Sequence, residues 1–202
     1  MSDPFRTDPP DPLEALRADR EAARGAGDAN AELGWVATVD DDGMPAVRTL
    51  VLREMGATWA LFVNGTSPKW RQLEGRPHCQ IALWLPSVQR QWRLDAGVEP
   101  MARDVLEAHW PRRPRVSQVM DHLYARAHPQ SAPLADPAAL RAAHARMDDA
   151  LGAAPAAPPE ALALALDIHR IECVQIARPP TLHQRRCWQR TADGWACGHL
   201  VP

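Results

Sequence analysis

Apolar and polar positions alternate in short runs through most of this chain, and turn-forming residues separate the runs. Residues 35–39, the acidic turn 40–43 and residues 46–53 together predict a β-hairpin. Period-two alternation in its second strand sets Arg48, Leu50 and Leu52 on one face and Val47, Thr49, Val51 and Arg53 on the other. Further strands are predicted at 59–63, 80–85 and 89–99, with a short helix at 70–73. Short antiparallel strands so closely spaced predict a small barrel.

Elsewhere the period lengthens. Asp11 and Pro12 open a helix that runs to Arg24 and ends in the stretch 25–28. Helices are predicted at 102–110 and 117–127, broken by the turn 111–114, and at 137–151 with Asp136 as cap. A Pro/Ala linker at 153–159 leads to strands at 164–176, 186–190 and 195–201. The expected organisation is an N-terminal helical segment, 1–30, followed by one mainly β domain, 31–202. That domain carries a helical insertion at about 101–152 and C-terminal strands within 164–202.

Composition narrows the partners. A net charge of −2 removes the electrostatic case for nucleic acid or an anionic membrane as main partner. No apolar run approaches the roughly 18 residues of a membrane span, and the Pro-rich start, 1–12, has no signal-peptide core. Cys79, Cys173, Cys187 and Cys197 are scattered without a CxxC pair, so no metal site is expected, and reduced thiols in a cytoplasmic protein are the simplest reading. With eight Trp against two Phe and one Tyr, tryptophan is expected to fill core positions. Of the 23 cationic side chains only Lys69 is lysine. It ends the turn Asn64-Gly65-Thr66-Ser67-Pro68 after an apolar run, where backbone N–H groups, hydroxyls and an ammonium converge as in an anion cradle. A turn lysine that is merely solvated fits the same local pattern.

Several separated motifs then fall into one order: 37–53 with its Arg48-Thr-Leu-Val-Leu-Arg53, Phe62 to Lys69, Arg90-Gln91, Arg112 to Gln118, and Leu182-His183-Gln184-Arg185. This series, spanning roughly residues 33–202, resembles the pyridoxamine 5′-phosphate oxidase family. The resemblance implies an antiparallel, FMN-binding split barrel that works as a homodimer with the flavin at the subunit interface. It implies cofactor contacts from Arg48, Thr49, Leu50, Val51, Phe62, Val63, Ser67 and Lys69, with Arg48 and Lys69 on the phosphate. Gln91 and Arg185 would be contributed from the other subunit. Arg53, His109, Arg113 and Ser117 would hold the substrate, with His183 as the catalytic group over it.

The implied activity is hydride transfer from a small-molecule substrate to FMN, with reoxidation by oxygen. Departures cluster on the substrate side. Thr181 stands where the family has a ring-clamping arginine, and near Val174 or Gln175 the flavin-stacking tryptophan is missing. Pro68 replaces an arginine, and the family's Gln-Ser pair has only a shifted counterpart at Gln130-Ser131. Three functions therefore stay open: a pyridoxine/pyridoxamine 5′-phosphate oxidase with an altered ring site; a divergent flavin oxidase or reductase acting on another molecule, such as a phenazine-type precursor; and a flavin- or pyridoxal-phosphate-binding protein without catalysis.

Overall fold

The computed structural model describes residues 11–177 and 180–202; most of the Pro-rich start falls outside that range. Helix α1 (Pro12–Gly25) starts as expected, with Asp11 accepting a hydrogen bond from the Leu13 N–H at 2.8 Å and Pro at the first turn. Its inner face carries Ala15, Leu16 and Ala23, but also Asp19 and Arg20. Arg20 is 0% exposed and hands its protons to the carbonyls of Ala31 (2.7 Å) and Leu52 (2.9 Å) and to the carboxylates of Glu32 and Glu54. Asp19 accepts from Trp92 Nε1 at 3.0 Å and pairs with Arg90 at 3.2 Å. The helix is thus pinned over one end of the sheet by fully engaged polar groups.

The strands are β1 (Leu33–Val39), β2 (Pro45–Val51), β3 (Arg53–Met55), β4 (Thr58–Asn64), β5 (His78–Leu85), β6 (Arg90–Pro100), β7 (Ala161–Gln175), β8 (Gln184–Thr191) and β9 (Gly194–Leu200). All their pairings are antiparallel, in the order β2-β1-β5-β6-β7-β4-β3, with β8 added to β7 and β9 to β8. Strand β7 spans two regions: residues 161–166 pair with β4 and 170–175 with β8. A register shift at Asp95/Ala96 leaves His169 as the extra residue, and such a bulge increases twist and lets the sheet curl. The result is a curled, mainly antiparallel half-barrel with a few helices. Its interior holds Trp59, Trp92, Leu61, Ile81, Leu83, Leu94 and Leu164, with Trp92 stacked on Trp188 at 6.0 Å between ring centres. Four of the eight tryptophans, Trp59, Trp92, Trp110 and Trp188, are at most 3% exposed, so half of them do fill the core.

Two expectations need correction. The strand predicted at 46–53 breaks at Leu52, whose side chain is 0% exposed and whose N–H donates at 2.9 Å to the Glu32 carbonyl, opposite it in the continued β1–β2 register. Burying Leu52 redirects the chain, so that Arg53 pairs with Ala60 on β4 instead of with β1. The turn predicted at 111–114 is partly helical: α3 (Arg103–His109) continues into a 3₁₀ turn, Trp110–Arg112, before α4 (Arg115–Arg126). Helices α2 (Pro68–Gly75) and α5 (Pro137–Leu151) complete the fold.

Candidate functional site

The turn ahead of α2 is built by side chains that serve its own backbone. Asn64, 3% exposed, accepts from the Thr66 N–H (3.0 Å) and hydroxyl (2.7 Å) and donates to the backbone and side chain of Asp121 on α4, both at 3.3 Å. Gly65 donates to the Glu160 carbonyl at 2.7 Å, and a Cβ at this position would lie 3.3 Å from that oxygen, so the close approach favours glycine. Ser67, fully buried, caps α2 by accepting from the Trp70 N–H at 3.3 Å. The first turn of α2 then carries Lys69 inward, to 9% exposure.

Lys69 Nζ donates to Gln130 Oε1 at 2.7 Å. Burial, reinforced by the charge of Arg48, lowers its pKa to about 8, and Asp121 draws it partly back. Arg48 reaches the same helix from β2: its Nη2 donates to Gln72 Oε1 at 2.9 Å, and its Nη1 to Thr38 Oγ1 and the carbonyls of Val36 and Ala46. Burial holds the Arg48 guanidinium below its ordinary pKa. Among the described residues, neither cation forms an ion pair with a carboxylate. Two adjacent cations, half-buried or more, lacking a paired anion are costly alone and are relieved by an incoming anion.

Three adjoining cavities open from this point, and Phe62 and Arg113 line all three. The first, about 250 Å³, has Lys69, Leu50, Val63, Ser117 and Gln130 in its wall. The second, about 270 Å³, adds Thr49, Val51 and Arg53. The third, about 120 Å³, is cationic, with Arg53, His109 and Arg112 beside Glu54. Arg113 lies over the rings of Phe62 (5.9 Å) and Trp110 (5.5 Å) and donates to Asp121 at 2.6 Å, while its buried Nε has no hydrogen-bond partner. A larger cavity of about 500 Å³, lined by Ala37, Val39, Cys79 and Ala96 among others, has no Lys or Arg in its wall. Charge, not size, therefore selects the site for an anionic ligand.

Most of the expected site residues meet here: Thr49, Leu50, Val51, Phe62, Val63 and Lys69 from the cofactor set, and Arg53, His109, Arg113 and Ser117 from the substrate set. Ser67 is not in the cavity walls: its hydroxyl caps α2, accepting from the Trp70 N–H. Arg48 does not line them either, because its donors are taken up by β1, β2 and Gln72. Gln91, His183 and Arg185 lie away from this wall. Gln91 and Arg185 sit on β6 and β8 on either side of Val174, and exposed His183 accepts from the Ala177 N–H at 3.0 Å. Thr181 is exposed. Sequence reasoning missed Asp121, Tyr124 and Met120, which line the first cavity; they share with Ser117 the three- and four-residue spacing of one helix face. Gln130, seen only as a shifted counterpart, proves to be the hydrogen-bond partner of Lys69.

Comparison with known proteins gives a family profile described as pyridoxamine 5′-phosphate oxidase, matching residues 27–173. A protein of Anaeromyxobacter dehalogenans named pyridoxine/pyridoxamine 5′-phosphate oxidase is 32% identical, with 96% of each chain covered. A Ralstonia nicotianae protein, named pyridoxine/pyridoxamine 5′-phosphate oxidase 1, is also 32% identical over 96% of this chain and 90% of its own. Among solved structures, PhzG from Burkholderia lata, in complex with tetrahydrophenazine-1-carboxylic acid, superposes with a TM-score of 0.86 at 24% identity, covering 100% of this chain and 98% of its own. A pyridoxamine 5′-phosphate oxidase-related, FMN-binding protein from Nostoc punctiforme gives a TM-score of 0.74 at 18% identity, covering 99% and 98%. Both structures share the fold.

Proposed function

The chain belongs to the pyridoxamine 5′-phosphate oxidase family, and from that membership we propose an FMN-dependent oxidase of a small anionic ring compound. Pyridoxamine or pyridoxine 5′-phosphate is the first substrate to test. The observation that carries this reading is buried Lys69, with half-buried Arg48 behind it and, among the described residues, no carboxylate paired to either, at one end of a cavity walled by Phe62, Leu50 and Val63. The donor set fits FMN: an ammonium and an amide for a phosphate of about −1.5 to −2 charges, then apolar walls for a flat ring.

In this reading Lys69 and Gln130 hold the phosphate, and Arg48 acts through its charge and through Gln72. Phe62, Leu50 and Val51 exclude water along the ring. Arg53, His109, Arg112 and Arg113 form a cationic annex that anchors the remote anionic group of the substrate, so that its binding energy goes into orientation. Gln91, Arg185 and His183 reach the site from a second copy of the chain, with His183 beside the reacting end. The chemistry such a cofactor supplies is two-electron oxidation of an amine or alcohol carbon, with dioxygen accepting the electrons as peroxide.

One feature favours a second substrate class. Exposed Thr181 offers no cation to clamp a pyridine ring, and Val174, not an aromatic residue, stands between Gln91 and Arg185. The annex suits a ring carboxylate as well as a phosphate, the kind of compound bound by PhzG. Anaerobic addition of pyridoxamine 5′-phosphate to the FMN-loaded protein should bleach the flavin band. Bleaching by a tetrahydrophenazine carboxylate alone would move the assignment to the second class. A protein that binds FMN and bleaches with neither would be a binding protein and not an oxidase.

A further inference from the structure

Away from the cavities of its own chain, the outward faces of β6, β7 and β8 carry a charged cluster centred on Glu172. Register places Gln91, Val174 and Arg185 in one lateral row and Arg93, Glu172 and Cys187 in the next. Glu172 is only 2% exposed, yet it gathers guanidinium groups from all three strands. Arg185 turns its Nε and Nη2 onto Glu172 Oε2, at 3.1 and 2.9 Å. Arg93 donates to the same oxygen, and Arg170 pairs with Oε1 while also reaching Asp95 at 3.2 Å. Burial alone would raise the Glu172 carboxyl, but the hydrogen bonds from Arg93 and Arg185 and the charges of Arg93 and Arg170 outweigh it and hold the pKa below its usual range.

Two donors of a planar guanidinium on one carboxylate oxygen fix the plane of the group as well as its distance. They also settle which edge of Arg185 is spent. Its Nη1 has no hydrogen-bond partner among the described residues, and it belongs to the same row as Gln91. Without Glu172, Arg93, Arg170 and Arg185 would repel one another, and Arg185 would sample many rotamers.

We propose that Glu172 is a positioning residue: it orients Arg185 so that the free edge of the guanidinium is presented to the FMN held by a second copy of this chain. This rests on the reading that Arg185 contacts the partner's cofactor, which the experiment checks separately. FMN affinity is measured by fluorescence quenching, with apoprotein melting recorded in parallel, for Arg185→Ala, Glu172→Gln, the double variant and Arg170→Ala. Arg185→Ala and Glu172→Gln should each weaken FMN about tenfold, the size of one lost charge-assisted contact, and the double variant should be no weaker than Arg185→Ala alone. Arg170→Ala, which disturbs the same carboxylate without touching Arg185, should leave affinity within about twofold whatever it does to melting. If Glu172→Gln fails to fold, Glu172→Asp serves, with a loss of about threefold expected from its shorter reach. Weakening by Arg185→Ala but not by a Glu172 variant overturns the proposal and spares the cofactor contact. Unchanged affinity in Arg185→Ala removes that contact and the proposal with it.

Discussion

The lysine at position 69 is conspicuous before any fold is known. It stands out because every other cationic residue is arginine, and the structure gives the physical complement: a side chain 9% exposed beside Arg48, bonded to a neutral amide. A pKa of about 8 without a bound anion makes FMN affinity depend on pH. A bound phosphate restores the ammonium's usual affinity for its proton, so FMN binding takes up a proton once the empty site has lost one. FMN affinity should be flat from pH 7 to about 8 and then fall by up to tenfold per unit, a trend that titrations at pH 7.5, 8.5 and 9.5 would show. The phosphate itself, with its second pKa near 6, does not change charge over that range. Between about 8 and 10.5 the unfolded chain holds a proton that the empty folded site lacks, so this group makes the apoprotein more stable as pH rises through that window. Asp121 was less legible. Its carboxylate belongs to a helix face recognised only for Ser117, and nothing in the local sequence says that Arg113 will be its partner.

At the level of elements, local patterns that pointed to one structure came through, and the misses trace to long-range packing. Asp11 and Asp136 cap their helices as their sequences suggest, each accepting from the N–H two residues on at 2.8 Å. The break at Leu52 was invisible because alternation continues smoothly from 46 to 53, whereas the chain changes partner there: the Leu52 carbonyl accepts from Arg20 of α1 and Arg53 pairs with Ala60 on β4. The bulge at His169, likewise, depends on the partner strand. Arg20 ties these parts together: from α1 it holds the Leu52 carbonyl and the carboxylate of Glu54, next to Arg53 of the annex. Replacing it with alanine leaves the Ala31 and Leu52 carbonyls without their donor beside a void, while Arg24 keeps its bonds to both carboxylates. Arg20→Ala should therefore cost about 3–5 kcal/mol, read as a lower urea midpoint at unchanged slope. A loss below about 1 kcal/mol would mean that water replaces the guanidinium without penalty.

For the whole molecule, the antiparallel half-barrel sets two groups of residues apart: the cavity wall around Lys69 and the Gln91–Arg185 row on β6 to β8. The resemblance implied by the order of motifs already assigned Gln91 and Arg185 to the other subunit, and in the fold they stand apart from the cavity wall of their own chain. That separation is what a site completed by a second copy requires. Recognition of a phosphate by Lys69, with the charge of Arg48 beside it, is what makes this wall a flavin nucleotide site in the proposed reading. The measurement that tests this most directly compares affinity for FMN and for riboflavin, which lacks only the phosphate, in the unaltered protein and in Lys69→Ala. A preference for FMN of at least about 100-fold, reduced about tenfold or more by the substitution, is the predicted result. Equal affinity for the two flavins, or a preference that survives the loss of Lys69 intact, would contradict it.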